Sequence, residues 1–113
     1  MSLPILYLAG PMTGYPDFNH PAFHQAAKQL RKAGYEVVNP ADNGLDRDAP
    51  WIRHMRRDII LMMQSAEAVA TLPGYESSCG ALIETALAHR LGWRVLAVDM
   101  WLDKAKKAKE AVG

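Results

Sequence analysis

EAVATLPGYESSCGALIETALAHRLGWRVLAV, residues 67–98, holds a complete strand–helix–strand unit. Glu67 to Leu72 is a short, β-compatible apolar run. Pro73 and Gly74 end it, because proline lacks a donor and glycine tolerates positive φ. Ser77 and Ser78 offer hydroxyls where a helix needs a cap. The helix that follows places Gly80, Glu84, Leu87, Ala88 and Leu91 on one side, so Glu84 borders a packed face. Gly80 leaves the helix entrance bare. Gly92 stops the helix, and Trp93 to Val98 is the next strand. A carboxylate near a helix N-terminus is favoured by the dipole, which suits a nucleophile kept ionised.

The rest of the chain repeats this alternation. Leu3 to Ala9 reads as a strand buried on both faces, closed by Gly10-Pro11. Pro21 to Ala33 carries an apolar helical stripe of Phe23, Ala26, Ala27, Leu30 and Ala33, with Gly34 as its stop. Tyr35 to Val38 is a strand. Pro50 opens a helix running to about Ser65, with Asp48 as a candidate cap and Trp51, Met55, Ile59 and Met62 as its buried stripe. Asp103 to Val112 is expected to be a polar terminal surface helix. Four strand–helix alternations predict one domain over residues 1–113. Its class is a flavodoxin/Rossmann-like three-layer α/β sandwich with a parallel sheet of four to five strands and right-handed crossovers.

Composition narrows the function. A chain of 113 residues with 50% hydrophobic and 22% charged residues builds one small core. A net charge of +1 gives no global field for nucleic acid or membrane. The single cysteine, Cys79, rules out a disulfide framework and points to a reducing cytoplasm. With no His base nearby in the chain, it reads as a small loop residue. No basic leader, cleavage pattern or bilayer-length apolar run is expected.

Several phosphate and metal motifs are missing. GPMTG, residues 10–14, has neither G-x-G-x-x-G spacing nor the lysine of a Walker loop. ADNGLDRDA, residues 41–49, has no calcium-loop register and reads as a solvated connection. The loop from Pro11 to His20 follows the first strand. It therefore lies at the sheet's carboxyl edge, where ligands bind, and reads either as a substrate lid or as a long connection. Asp58 interrupts the apolar stripe of its helix, one turn from His54. It is either an ion-pair partner of a neighbouring arginine or a carboxylate aimed into a pocket. Topology allows Asp58 and Glu84 to face one cleft.

These motifs in this order resemble the nucleoside 2-deoxyribosyltransferase superfamily. Tyr7-Leu8-Ala9-Gly10-Pro11-Met12 is similar to its opening strand and loop. Arg57-Asp58 followed by Ala66-Glu67-Ala68-Val69 looks like its helix aspartate and third strand. Ser78-Cys79-Gly80-Ala81-Leu82-Ile83-Glu84 is similar to its S/D-x-G-x-x-x-E segment. The 2'-deoxynucleoside 5'-phosphate N-hydrolases are one branch. The resemblance implies Glu84 as the nucleophile at C1' and Asp58 as the group assisting base departure. Tyr7 would lie near the sugar, Ser78 and Ser77 would hold a phosphate or sugar hydroxyl beside Gly80, and the Gly10, Pro11, Met12 and Thr13 loop would frame the base. Where transferases carry an aspartate just before the glycine, this chain has Ser77, Ser78 and Cys79. That change favours a phosphate-binding serine over a carboxylate contact to the base.

The implied activity is cleavage or exchange of the N-glycosidic bond of a 2'-deoxynucleoside or its 5'-monophosphate, without metal or cofactor. The implied assembly is a homodimer or larger homo-oligomer, with neither nucleic acid nor membrane as partner. A non-catalytic nucleotide-binding module, or a scaffold using the lysine-rich tail, are the rival readings of the same fold.

Overall fold

The structure is a computed structural model describing residues 3–112. Every residue of the first strand, β1 (Leu6–Ala9), is buried. Its side chains alternate between two cores, as a pleated strand requires. Leu6 and Leu8 enter one cluster with Phe23, Leu30 and Trp101, while Tyr7 and Ala9 enter the other with Met62, Ala81 and Ala88. Tyr7 is thereby committed to a particular side of the sheet.

The remaining elements are α1 (His20–Lys32), β2 (Val37–Val38), α2 (Trp51–Ser65), β3 (Ala68–Thr71), α3 (Cys79–Arg90), β4 (Val95–Ala97) and α4 (Val98–Val112). The four strands form one sheet in the order β2-β1-β3-β4, all parallel. Residues of α1 and α4 pack with Leu6 and Leu8, and residues of α2 and α3 pack with Tyr7 and Ala9. This is the expected three-layer, flavodoxin/Rossmann-like α/β architecture, with four strands. Strand order reverses between β1 and β3. Right-handed crossovers then put α1 and α2 on opposite faces and leave a crevice at the strands' carboxyl ends.

Sequence periodicity locates the elements but extends the strands too far. β1 begins at Leu6 instead of Leu3, although Ile5 still pairs with Glu67 on the neighbouring segment. β2 shrinks to two residues. The largest correction is α4, which starts at Val98 directly after β4 and not at Asp103. It is no surface helix either. Trp101 and Ala105 are buried in the core with α1, and the Trp101 indole N–H donates to the Val69 carbonyl at 2.9 Å. In α2, Trp51 is exposed and Ile59 only half-buried, and Asp58, expected at the edge of the stripe, is instead buried with Met55 and Met62. Pro50 precedes α2 without any side-chain cap, so Asp48 does not cap it.

Candidate active site

α3 begins as its sequence suggests, although Leu91, read as part of its packed side, is exposed. Gly74 takes a left-handed conformation (φ 86°), a 3-10 turn over Tyr75–Ser77 follows, and the Ser78 hydroxyl accepts from the Ala81 N–H at 3.3 Å as the helix cap. Five residues into the helix, Glu84 turns onto the sheet and is only 5% exposed. The Tyr7 hydroxyl, itself wholly buried, donates to Glu84 Oε2. The first strand and the third helix are therefore joined through one carboxyl.

Asp58, 7% exposed, approaches from α2. Among the described residues no arginine or lysine pairs with it or with Glu84. Its partner is Asn43, whose side-chain amide donates to Asp58 Oδ1 at 2.9 Å. The same amide nitrogen lies 3.0 Å from His54 Nδ1, and His54 Nε2 lies 3.0 Å from the Asp46 carbonyl. That pattern places the His54 proton on Nε2. Asn43 Oδ1 in turn accepts from the Leu45 N–H at 2.9 Å, and the Asn43 carbonyl accepts from Arg57 Nε at 3.2 Å. Arg57 thus braces the loop, and the carboxylate is left to the cavity.

Tyr7, Asp58 and Glu84 line one cavity of about 290 Å³. That is close to the lower bound of roughly 300 Å³ for small-molecule sites, so the cavity is sized for one compact ligand. Of the other expected residues, Gly10, Met12, Thr13, Ser78 and Gly80 also line it. Pro11 and Ser77 are not among the lining residues. The Pro11 carbonyl accepts from the Asn19 side chain at 2.9 Å, and the Ser77 hydroxyl donates to the Gly74 carbonyl at 2.9 Å. The two glycines serve packing as much as access. A Cβ on Gly10 would stand 2.9 Å from the Leu72 Cβ, and one on Gly80 would stand 3.0 Å from the Met55 sulfur.

Electrostatics separate the two carboxyls. Burial pushes Glu84 up to about 8; the Tyr7 hydrogen bond opposes the shift and the Asp58 charge adds to it. Burial also raises Asp58 to about 6, against the Asn43 hydrogen bond and the nearby His54. Tyr7 is raised well above its ordinary value by burial and by the Glu84 and Asp58 charges. Burial therefore disfavours the ionised form of Glu84, contrary to the sequence expectation. It sits in the second turn of α3, beyond the turn where the dipole acts, and desolvation dominates.

The polar loop 41–49 also departs from its sequence reading. It rims the cavity through Asn43, Leu45, Arg47 and Ala49, and Asn43 is 6% exposed. The available signals were the Asn43-Gly44 turn and the one-turn spacing of His54 and Asp58. The segment after β1 also contributes, through Phe18 and, at the start of α1, His20. There Asp17, Phe18 and Asn19 take left-handed conformations in succession, at φ 54°, 50° and 60°. Each costs a non-glycine residue about 1–2 kcal/mol. Arg47 forms an ion pair with Asp17, tying the two loops together across the mouth.

Among the described residues no cluster of His, Cys, Asp and Glu is arranged to hold a metal, and no helix is long and apolar enough to cross a membrane. A family model described as "Domain of unknown function (DUF4406)" matches residues 4–97. No curated protein matches the chain.

Proposed function

We propose that this chain, which belongs to the DUF4406 family, cleaves or exchanges the N-glycosidic bond of a 2'-deoxynucleoside or its 5'-monophosphate. One observation carries the reading: carboxyls from separate helices, Asp58 on α2 and Glu84 on α3, line one nucleoside-scale cavity with the Tyr7 hydroxyl on Glu84.

In the proposed reaction the C1'–N bond breaks and the base leaves with the bonding pair. It takes a proton from the Asp58 carboxylic acid. The Glu84 carboxylate bonds to C1' as positive charge builds there, giving a glycosyl-enzyme ester. A water, or a second base, then attacks C1' while the Asp58 carboxylate accepts its proton, and Glu84 is released. Tyr7 holds one Glu84 oxygen and turns the other toward the sugar. The reacting form is the one in which Glu84 is already ionised and Asp58 carries the proton, so attack on C1' releases no proton from Glu84. Ser78 and Thr13 line the cavity wall, and in this reading they meet sugar or phosphate oxygens.

The test is base release from the four 2'-deoxynucleosides and their monophosphates, with wild type, Glu84→Gln and Asp58→Asn. We expect release by wild type and loss of at least about a hundredfold in each variant. Adding a free second base separates exchange from hydrolysis. The proton held by Glu84 favours a second reading, a nucleotide-binding or sensing module; calorimetric binding without base release would select it. The homodimer expected by resemblance is supported by Ile52, Ile60 and Met63 on α2 and Leu82 and Ile83 on α3, each 41–51% exposed. Light scattering tests it.

A further inference from the structure

The charges of the cavity are divided between its floor and its mouth. Asp58 and Glu84 are buried, whereas Arg47, which also lines the cavity, is half exposed and paired with the half-exposed Asp17. A ligand filling this cavity therefore meets acids at one end and a guanidinium at the other. The guanidinium's present partner is a carboxylate of the same chain, carried on a turn of three left-handed residues. Asp17 does not itself line the cavity, whereas Arg47 does, so an anionic ligand group inside it would compete with Asp17 for the guanidinium, and a planar guanidinium suits a phosphate monoester's bidentate geometry.

We infer that Arg47 is the residue by which this site selects a phosphorylated substrate. Its guanidinium exchanges the Asp17 carboxylate for the ligand's phosphate, and the exchange releases the turn from Pro16 to Asn19. No covalent step is involved. The inference rests on the N-glycosidic reading for the rest of the ligand, but the anion contact is measurable apart from it. Arg47 acts here as a specificity residue, while the bond-breaking groups lie on the floor.

The experiment compares each 2'-deoxynucleoside with its 5'-monophosphate in wild type, Arg47→Gln and Asp17→Asn, by base release and by calorimetric titration. Both side chains are half exposed, and a melting curve verifies that each variant folds. We expect wild type to prefer the monophosphate in kcat/KM. Arg47→Gln should lower that preference by about tenfold or more, the loss expected for a charge-assisted contact. Asp17→Asn should raise it, because the internal competitor is gone. An unchanged preference in Arg47→Gln, with base release intact, overturns the inference and spares the N-glycosidic reading. Monophosphate binding that needs Arg47 but yields no base sustains the inference and overturns that reading. Failure to bind or cleave any of these compounds overturns both.

Discussion

Glu84 and Asp58 share a cavity, yet about two pH units separate their ionisation, near 8 and near 6. If the reaction needs Glu84 ionised and Asp58 protonated, only about one molecule in a hundred is poised between those values. The kcat/KM profile should then rise to about pH 6, stay level, and fall above about pH 8. Asn43→Ala removes the hydrogen bond that lowers Asp58, so the lower limb should move to higher pH; an unmoved limb would discount Asn43 as a positioning residue. Stability carries a separate signature. A carboxyl raised from 4.5 to about 8 keeps its proton in the folded state while the unfolded chain releases it. Its contribution therefore declines as pH rises from 4.5 toward 8, by something of the order of 4 kcal/mol. Glu84→Gln should melt above wild type at pH 8, with the gap closing by pH 5. Equal melting at pH 8 would contradict this burial account. The sequence placed both carboxyls by helix and by face. It could not weigh desolvation against the helix dipole, because burial depends on the neighbouring layer.

At the scale of elements, packing at β1's end is as restrictive as the chemistry. Gly10→Ala would force a Cβ to 2.9 Å from Leu72, a backbone-proximal atom with little room to yield. It should destabilise by about 1–3 kcal/mol, read as a shifted denaturation midpoint. Gly80→Ala faces the flexible end of Met55 at 3.0 Å and should cost less. Element order was legible because apolar runs, helical stripes and Gly or Pro stops alternate along the chain. Three features were less legible. The lysine-rich tail masked a stripe of Val98, Trp101 and Ala105, which is helical in spacing and buried. The loop at 41–49 looked solvated because its composition is polar, whereas Asn43 is buried by bonds to Asp58, Leu45 and His54. Strand ends were overextended because an apolar residue flanking a short parallel strand looks the same as one inside it.

Across the whole molecule, the alternation of β1 sends Leu6 and Leu8 to the core of α1 and α4, and delivers Tyr7 to the α2–α3 side. One layer therefore serves chiefly stability and the other carries the candidate chemistry. Trp101→Ala should cost about 3–5 kcal/mol, a large share of a small domain's total, and should lower the melting temperature sharply. A variant that melts like wild type would show α4 to be dispensable. The central claim is that Glu84 captures a sugar at its anomeric carbon, and acid-quenched mixtures of protein and 2'-deoxynucleoside 5'-monophosphate test it most directly. Mass spectrometry of the digested protein should find a deoxyribosyl phosphate adduct on the peptide bearing Glu84, absent in Glu84→Gln. Base release with no such adduct, or with release retained in Glu84→Gln, would contradict the account.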